Sequence, residues 1–190
     1  MLEPEALNRL RTGILRNCFG PYDGTHASGD WSNNKLDLEL LENCRELAAL
    51  AVTGLAQIIR PYKPDLLIPV PNGANWLARE LRLRLGVDVM ELSKDDETKQ
   101  MSTKPNLEAL YADTCRLVVV EDVPNSFTNT RNVLALPWIA ARTVLAVVGV
   151  WDRGDAAMRE PLPVPCKAVI SEHIPRVLSA GAEYWRYAVT

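Results

Sequence analysis

The sequence predicts an α/β domain with a central, mostly parallel sheet flanked by helices, and three observations support this. Short apolar runs alternate with segments of helical period through the middle of the chain. Those runs are continuously apolar, as strands buried on both faces are. With 190 residues, 47% hydrophobic and 24% charged, the chain is long enough for one domain with a substantial core.

The elements follow in order. A helix is expected over about residues 3–17. Cys18 to Asn34 is rich in turn residues and reads as loop with short strands. Leu40, Cys44, Leu47, Ala48, Ala51, Leu55, Ile58 and Ile59 recur at three- and four-residue steps, which predicts a long amphipathic helix stopped by Pro61 and Pro64. Asp65 to Val70 is a buried strand, followed by a helix with Ala74, Leu77, Ala78, Leu81 and Leu85 on one face. Val87 to Leu92 is a candidate strand, Arg116 to Glu121 a strong one, Thr128 to Ala141 a helix, and Thr143 to Trp151 another strand. The chain therefore reads as a single domain over 1–190. About 1–38 forms an N-terminal helix and a small hood shared with the C-terminal end, and about 40–180 forms the core. Ser93 to Asp113 is polar and too long for an ordinary connection, which marks either a lid or a disordered segment.

Charge and cysteine usage narrow the function. Lys and Arg total 21 against 24 Asp and Glu, a net charge of -3, which argues against nucleic-acid binding. No apolar run reaches the ~18 residues of a membrane span, and the acidic start is unlike a signal peptide, so a cytoplasmic protein is expected. Cys18, Cys44, Cys115 and Cys166 are widely spaced and read as reduced, packed thiols rather than a zinc site.

Leu117 to Thr130 is the most informative segment. Ligands of open parallel sheets gather at the carboxyl ends of strands, and here a strand ends in Glu121 and Asp122, followed by a hydroxyl- and amide-rich turn into a helix. Such a turn offers N–H and hydroxyl donors to a phosphate, with Ser126, Thr128 and Thr130 adding their own. The carboxylates suit sugar hydroxyls or a magnesium ion. Phosphate and ribose side by side point to a sugar phosphate; strand capping by the acids and helix capping by the hydroxyls is the alternative.

The order of the motifs resembles the type I phosphoribosyltransferases, and among them the orotate phosphoribosyltransferases. Val118 to Thr130 is similar to that family's phosphoribosyl pyrophosphate loop. Pro69 to Ala78 looks like the turn that holds pyrophosphate, where Gly73 lets a phosphate approach the backbone. Ser28 to Asp37 resembles the orotate branch's Ser-Gly element, and Trp151 to Gly154 its Asp-Arg pair. The sequence departs from the pattern at Phe127, where a glycine is usual, at Pro124, and at Ala27, where a lysine is common. The ring of Phe127 is expected either to obstruct the phosphate or to change the shape of the loop.

The resemblance implies transfer of a 5-phosphoribosyl group from phosphoribosyl pyrophosphate to a nucleobase, orotate first, with Mg2+ held mainly by substrate and by Asp122 at most. It implies Glu121 and Asp122 on the ribose; Asn125, Ser126, Phe127, Thr128, Asn129 and Thr130 on the 5-phosphate; and Asn72, Gly73 and Ala74 on pyrophosphate. It further implies Arg153 at the base, Ser28 and Gly29 among the substrate-binding residues, Lys94, Lys99 or Lys104 as the lid cation, and a homodimer. A noncatalytic, nucleotide-binding homologue and a transferase for another base are the alternatives.

Overall fold

The computed structural model describes residues 1–26, 29–95, 97–98, 100–154 and 159–178. Ala27, Ser28 and Lys99, named above, lie outside the described residues. Helix α1 (Pro4–Asn17) leads into a hairpin of β1 (Phe19–Thr25) and β2 (Trp31–Leu36), then α2 (Arg45–Ile59), β3 (Leu66–Pro69), α3 (Asn75–Leu85) and β4 (Asp88–Val89). A second small hairpin, β5 (Ser93–Lys94) and β6 (Met101–Ser102), precedes the short α4 (Pro105–Glu108). After these come β7 (Arg116–Glu121), α5 (Thr128–Leu134), α6 (Pro137–Ala140), β8 (Thr143–Asp152) and β9 (Cys166–Ser171).

Five strands form one parallel sheet in the order β4-β3-β7-β8-β9. The continuous apolar runs alternate between its two faces, as period-two geometry requires. Leu67, Val118, Val120, Ala146, Val148 and Val150 join the core under α1, α2 and α3. Leu66, Ile68, Leu117, Val119 and Val147 join a second cluster with Met90, Val133 and Ile139 on the other face. Among the described residues no helix is long and apolar enough to cross a membrane.

Four sequence expectations change. The long helix begins at Arg45, because Cys44 is extended (φ -113, ψ 79) and Leu38–Asn43 winds as a 3₁₀ turn whose three-residue period buries Leu38 and Leu41. The helix expected over Thr128 to Ala141 divides at Pro137, which has no N–H and forces Leu136 into an extended conformation (ψ 129). The strand at Val87 to Leu92 shrinks to the two-residue edge strand β4. The polar lid stretch is partly ordered: Asp95 Oδ1 accepts from the N–H groups of Glu97 (3.0 Å) and Thr98 (2.6 Å) in the turn between β5 and β6.

The β1–β2 hairpin is the hood, and it is fastened by inward-facing polar residues. Ser32 and Asn34 are fully buried. Ser32 Oγ donates to Arg176 O (2.7 Å), and Asn34 Nδ2 donates to Pro175 O (3.0 Å) and Arg176 O (2.8 Å). The C-terminal segment through Leu178 is thereby drawn beside β2.

Candidate active site

β3 and β7 are neighbours in parallel, so the turn after β3 and the loop after β7 meet at one end of the sheet. The contact between them is tight. A Cβ on Gly73 would collide with the carboxyl group of Asp122, so any larger residue there would displace that carboxyl group. Asn72 is exposed and Ala74 buried on either side of it, and the Pro71–Asn72 peptide is cis. The loop after β7 is also tied to β8. Asp122 O accepts from the N–H groups of Val150 (3.1 Å) and Trp151 (3.2 Å), and Pro124 O accepts from Arg153 N–H (3.0 Å). The ring of Pro124 lies where a Cβ on Gly149 would stand, so these two residues fit as a pair.

A cavity of about 210 Å³ opens between this loop and the hood. Glu121, Asp122, Asn125, Ser126, Phe127, Thr128 and Asn129 line it from the core, with Arg153. His26, Lys35 and Leu36 line it from the hood. Thr130 stands behind the wall, fully buried, and its hydroxyl donates to Glu121 Oε2. Ser126 Oγ and Thr128 Oγ1 are 3.0 Å apart across the turn.

Burial pushes the Glu121 carboxyl up to about 8; the Thr130 hydrogen bond opposes this, Asp122 and Asp152 add to it, and Arg159 counters it. Asp122 is likewise raised by burial, against hydrogen bonds from the backbone at Val123 and its own N–H. His26 is lowered by burial first, then by the fields of Arg153 and Arg176. Its Nε2 is buried without a hydrogen-bond partner among the described residues.

Phe127 takes the left-handed conformation (φ 64, ψ 10) that glycine adopts most easily, and its ring is only 4% exposed. The loop therefore turns in a glycine-like conformation, with the ring folded beneath the Arg159 guanidinium, 4.0 Å from its centroid. Arg153, expected at the base, is 2% exposed. Its Nη2 donates to Asn34 Oδ1 (2.7 Å) and Ile174 O (3.1 Å), so it braces the hood while lining the cavity. Gly29 sits at the hood tip with φ 86. Lys94 and Lys104 do not line the cavity; Lys104 lies by Glu91 and Leu107 in a separate groove. The sequence does not mark Lys35, Asn34 or Arg159 as site residues. Lys35 was visible inside the Ser28 to Asp37 element, whereas nothing local marks Arg159.

The fold has clear precedents among solved structures. UMP synthase from Leishmania donovani superposes with a TM-score of 0.69 at 19% identity over 87% of this chain, and this chain spans 36% of that longer protein. Orotate phosphoribosyltransferase from Aeropyrum pernix gives a TM-score of 0.63 at 19% identity, covering 87% of this chain and 92% of the other. Adenine phosphoribosyltransferase from Trypanosoma brucei, in complex with AMP, pyrophosphate and ribose-5-phosphate, gives 0.65 at 11% identity over 90% and 82%. The chain has the type I phosphoribosyltransferase fold. No family model and no curated protein matches the chain.

Proposed function

We propose that this chain is a phosphoribosyltransferase that joins phosphoribosyl pyrophosphate to a nucleobase. The observation that carries the reading is the strand-end pair Glu121 and Asp122, packed against the Gly73 turn and opening into the cavity under the hood. In the proposed reaction the base nitrogen's lone pair forms the new C–N bond as the anomeric C–O bond breaks, and that electron pair leaves with pyrophosphate. The nitrogen's proton is released.

Each wall has a part in this chemistry. Asp122 and Glu121 would accept hydrogen bonds from the ribose hydroxyls. Asn125 to Thr130 would hold the 5-phosphate, and the turn at Asn72, Gly73 and Ala74 would receive the departing pyrophosphate. Among the described residues no three metal-ligating side chains cluster, but magnesium fits a site with one carboxylate and a diphosphate, since it keeps several waters and takes substrate oxygens. When bound it neutralises charge developing on the leaving group. A lid cation from Lys94 or Lys104 would have to come from outside the cavity wall, which suits a homodimer in which one subunit's lid serves its partner.

The cations Lys35 and Arg153 at the cavity favour an anionic base such as orotate. Adenine remains a second reading, because adenine phosphoribosyltransferases superpose on this chain as well as the orotate enzymes do. Four free thiols fit a reducing, cytoplasmic setting.

The test is pyrophosphate release from phosphoribosyl pyrophosphate and magnesium, with orotate, uracil, guanine, hypoxanthine and adenine offered separately. Release that depends on one base is expected, and Asp122→Asn should lower it about a hundredfold with the fold intact. Silence with every base from folded protein would favour a noncatalytic binding protein instead.

A further inference from the structure

Arg159 lies outside every motif noted in the sequence, yet four separate contacts converge on it. Its Nη1 and Nη2 donate to Asp152 Oδ1 and Oδ2, both at 2.6 Å, in the planar fork-to-carboxylate arrangement. Nη1 also donates to the carbonyl of Asn125 (3.2 Å). The guanidinium lies over the Phe127 ring. A Cβ on Gly154 would collide with Asn125 O and crowd Arg159 Nη1, so glycine there is what lets the guanidinium reach the loop. Arg159 and Asp152 are both mostly buried, so the pair is poorly screened by solvent.

We propose that Arg159 is the positioning residue of the Asn125–Phe127 turn, clamping it to the end of β8 in the shape that receives a sugar 5-phosphate. The identity of the ligand rests on the phosphoribosyltransferase reading; the clamping itself does not. The chain carries Phe127 at a left-handed position where a bulky residue is strained. Stacking beneath a fixed guanidinium holds the ring, and so the turn, in that conformation. Asp152 holds the guanidinium over the ring, and the Asn125 hydrogen bond fixes the residue two positions before it. Arg159 does not line the cavity under the hood, so it should act on phosphate binding through the turn, equally in the ground and transition states.

Two measurements on Arg159→Gln and Arg159→Lys test this. The first is hydrogen exchange of the amides of Asn125 to Thr128, read against those of the hood and the sheet. Exchange in the turn is expected to quicken about tenfold in Arg159→Gln, with the sheet unchanged, and by less in Arg159→Lys, which keeps the cation but not the fork. The second is steady-state pyrophosphate release. KM for phosphoribosyl pyrophosphate is expected to rise about tenfold with kcat within about threefold, and guanidinium ion added to Arg159→Gln should recover part of the loss. In a Phe127→Gly background the Arg159→Gln effect should shrink, because the ring through which it acts is gone. Unchanged turn exchange, or a general loosening of hood and sheet together, would overturn the proposal whatever the activity. If the native chain releases no pyrophosphate and binds no ribose 5-phosphate, the functional reading falls and the exchange measurement still decides for or against Arg159.

Discussion

Burial holds the Glu121 carboxyl neutral up to about 8, while an unburied glutamate loses its proton at 4.5. Between those values the folded chain keeps a proton that the unfolded chain has released. The stability due to this group is therefore whole below the lower value and is lost as pH rises towards the upper one. Glu121→Gln cannot ionise and keeps the side chain's shape, so its thermal midpoint relative to the native chain should rise steadily between about pH 5 and pH 8. A difference independent of pH would mean that Glu121 is already ionised in the fold. Phe127 presents two opposed terms. Its left-handed backbone costs about 1–2 kcal/mol, whereas truncating a buried phenylalanine costs about 3–5 kcal/mol. The second term wins, so Phe127→Gly should destabilise the chain by about 2–3 kcal/mol, a fall of roughly 5–10 °C for a domain of this size. A rise in the midpoint would show that the ring is badly packed.

Elements differ in how plainly the sequence announces them, and the reasons are physical. β3, β7 and β8 lie inside a sheet covered on both faces, so Leu66–Pro69, Arg116–Glu121 and Thr143–Asp152 read as apolar runs without ambiguity. β9 is an edge strand whose Cys-Lys-Ala-Val-Ile-Ser is only partly buried, and it escapes a search for such runs. The paired acids and the Gly73 turn of the candidate site stand out in the sequence because they fall at strand ends, where sheets of this topology gather ligands. Arg159 was not, because its place depends on a tertiary contact seven residues from Asp152. The hood was visible only as turn-rich sequence, since Ser32 and Asn34 are polar residues turned inward and obey no hydrophobic period. Asn34 is its principal fastening: its amide serves Pro175 O and Arg176 O while its oxygen accepts from Arg153. Asn34→Ala should cost about 3 kcal/mol by stranding buried partners, one of them charged. Hydrogen exchange should quicken in β1, β2 and residues 174–178 and not in the sheet; a uniform change would show that the hood is no separate unit.

For the molecule as a whole, the cavity lies between a sheet packed on both faces and a hairpin held by buried hydrogen bonds from Ser32 and Asn34 and by Phe19 and Leu36 at its base in the core. A ligand seated there would meet Glu121 to Val123 and Asn125 to Asn129 on one side and His26 and Lys35 on the other. Binding would therefore add contacts that tie the hood to the core. Phosphoribosyl pyrophosphate with magnesium, at about a hundred times its Kd, should stabilise the fold by about 2.7 kcal/mol, an upward shift of roughly 5–10 °C. The gain should be distributed unevenly. Exchange should slow in the loop after β7 and also in β1, β2 and the segment carrying Pro175 and Arg176, while β3 and β8, already closed, should hardly change. Protection limited to the loop, with the hood untouched, would mean that the ligand sits on the core alone and that His26 and Lys35 take no part in holding it.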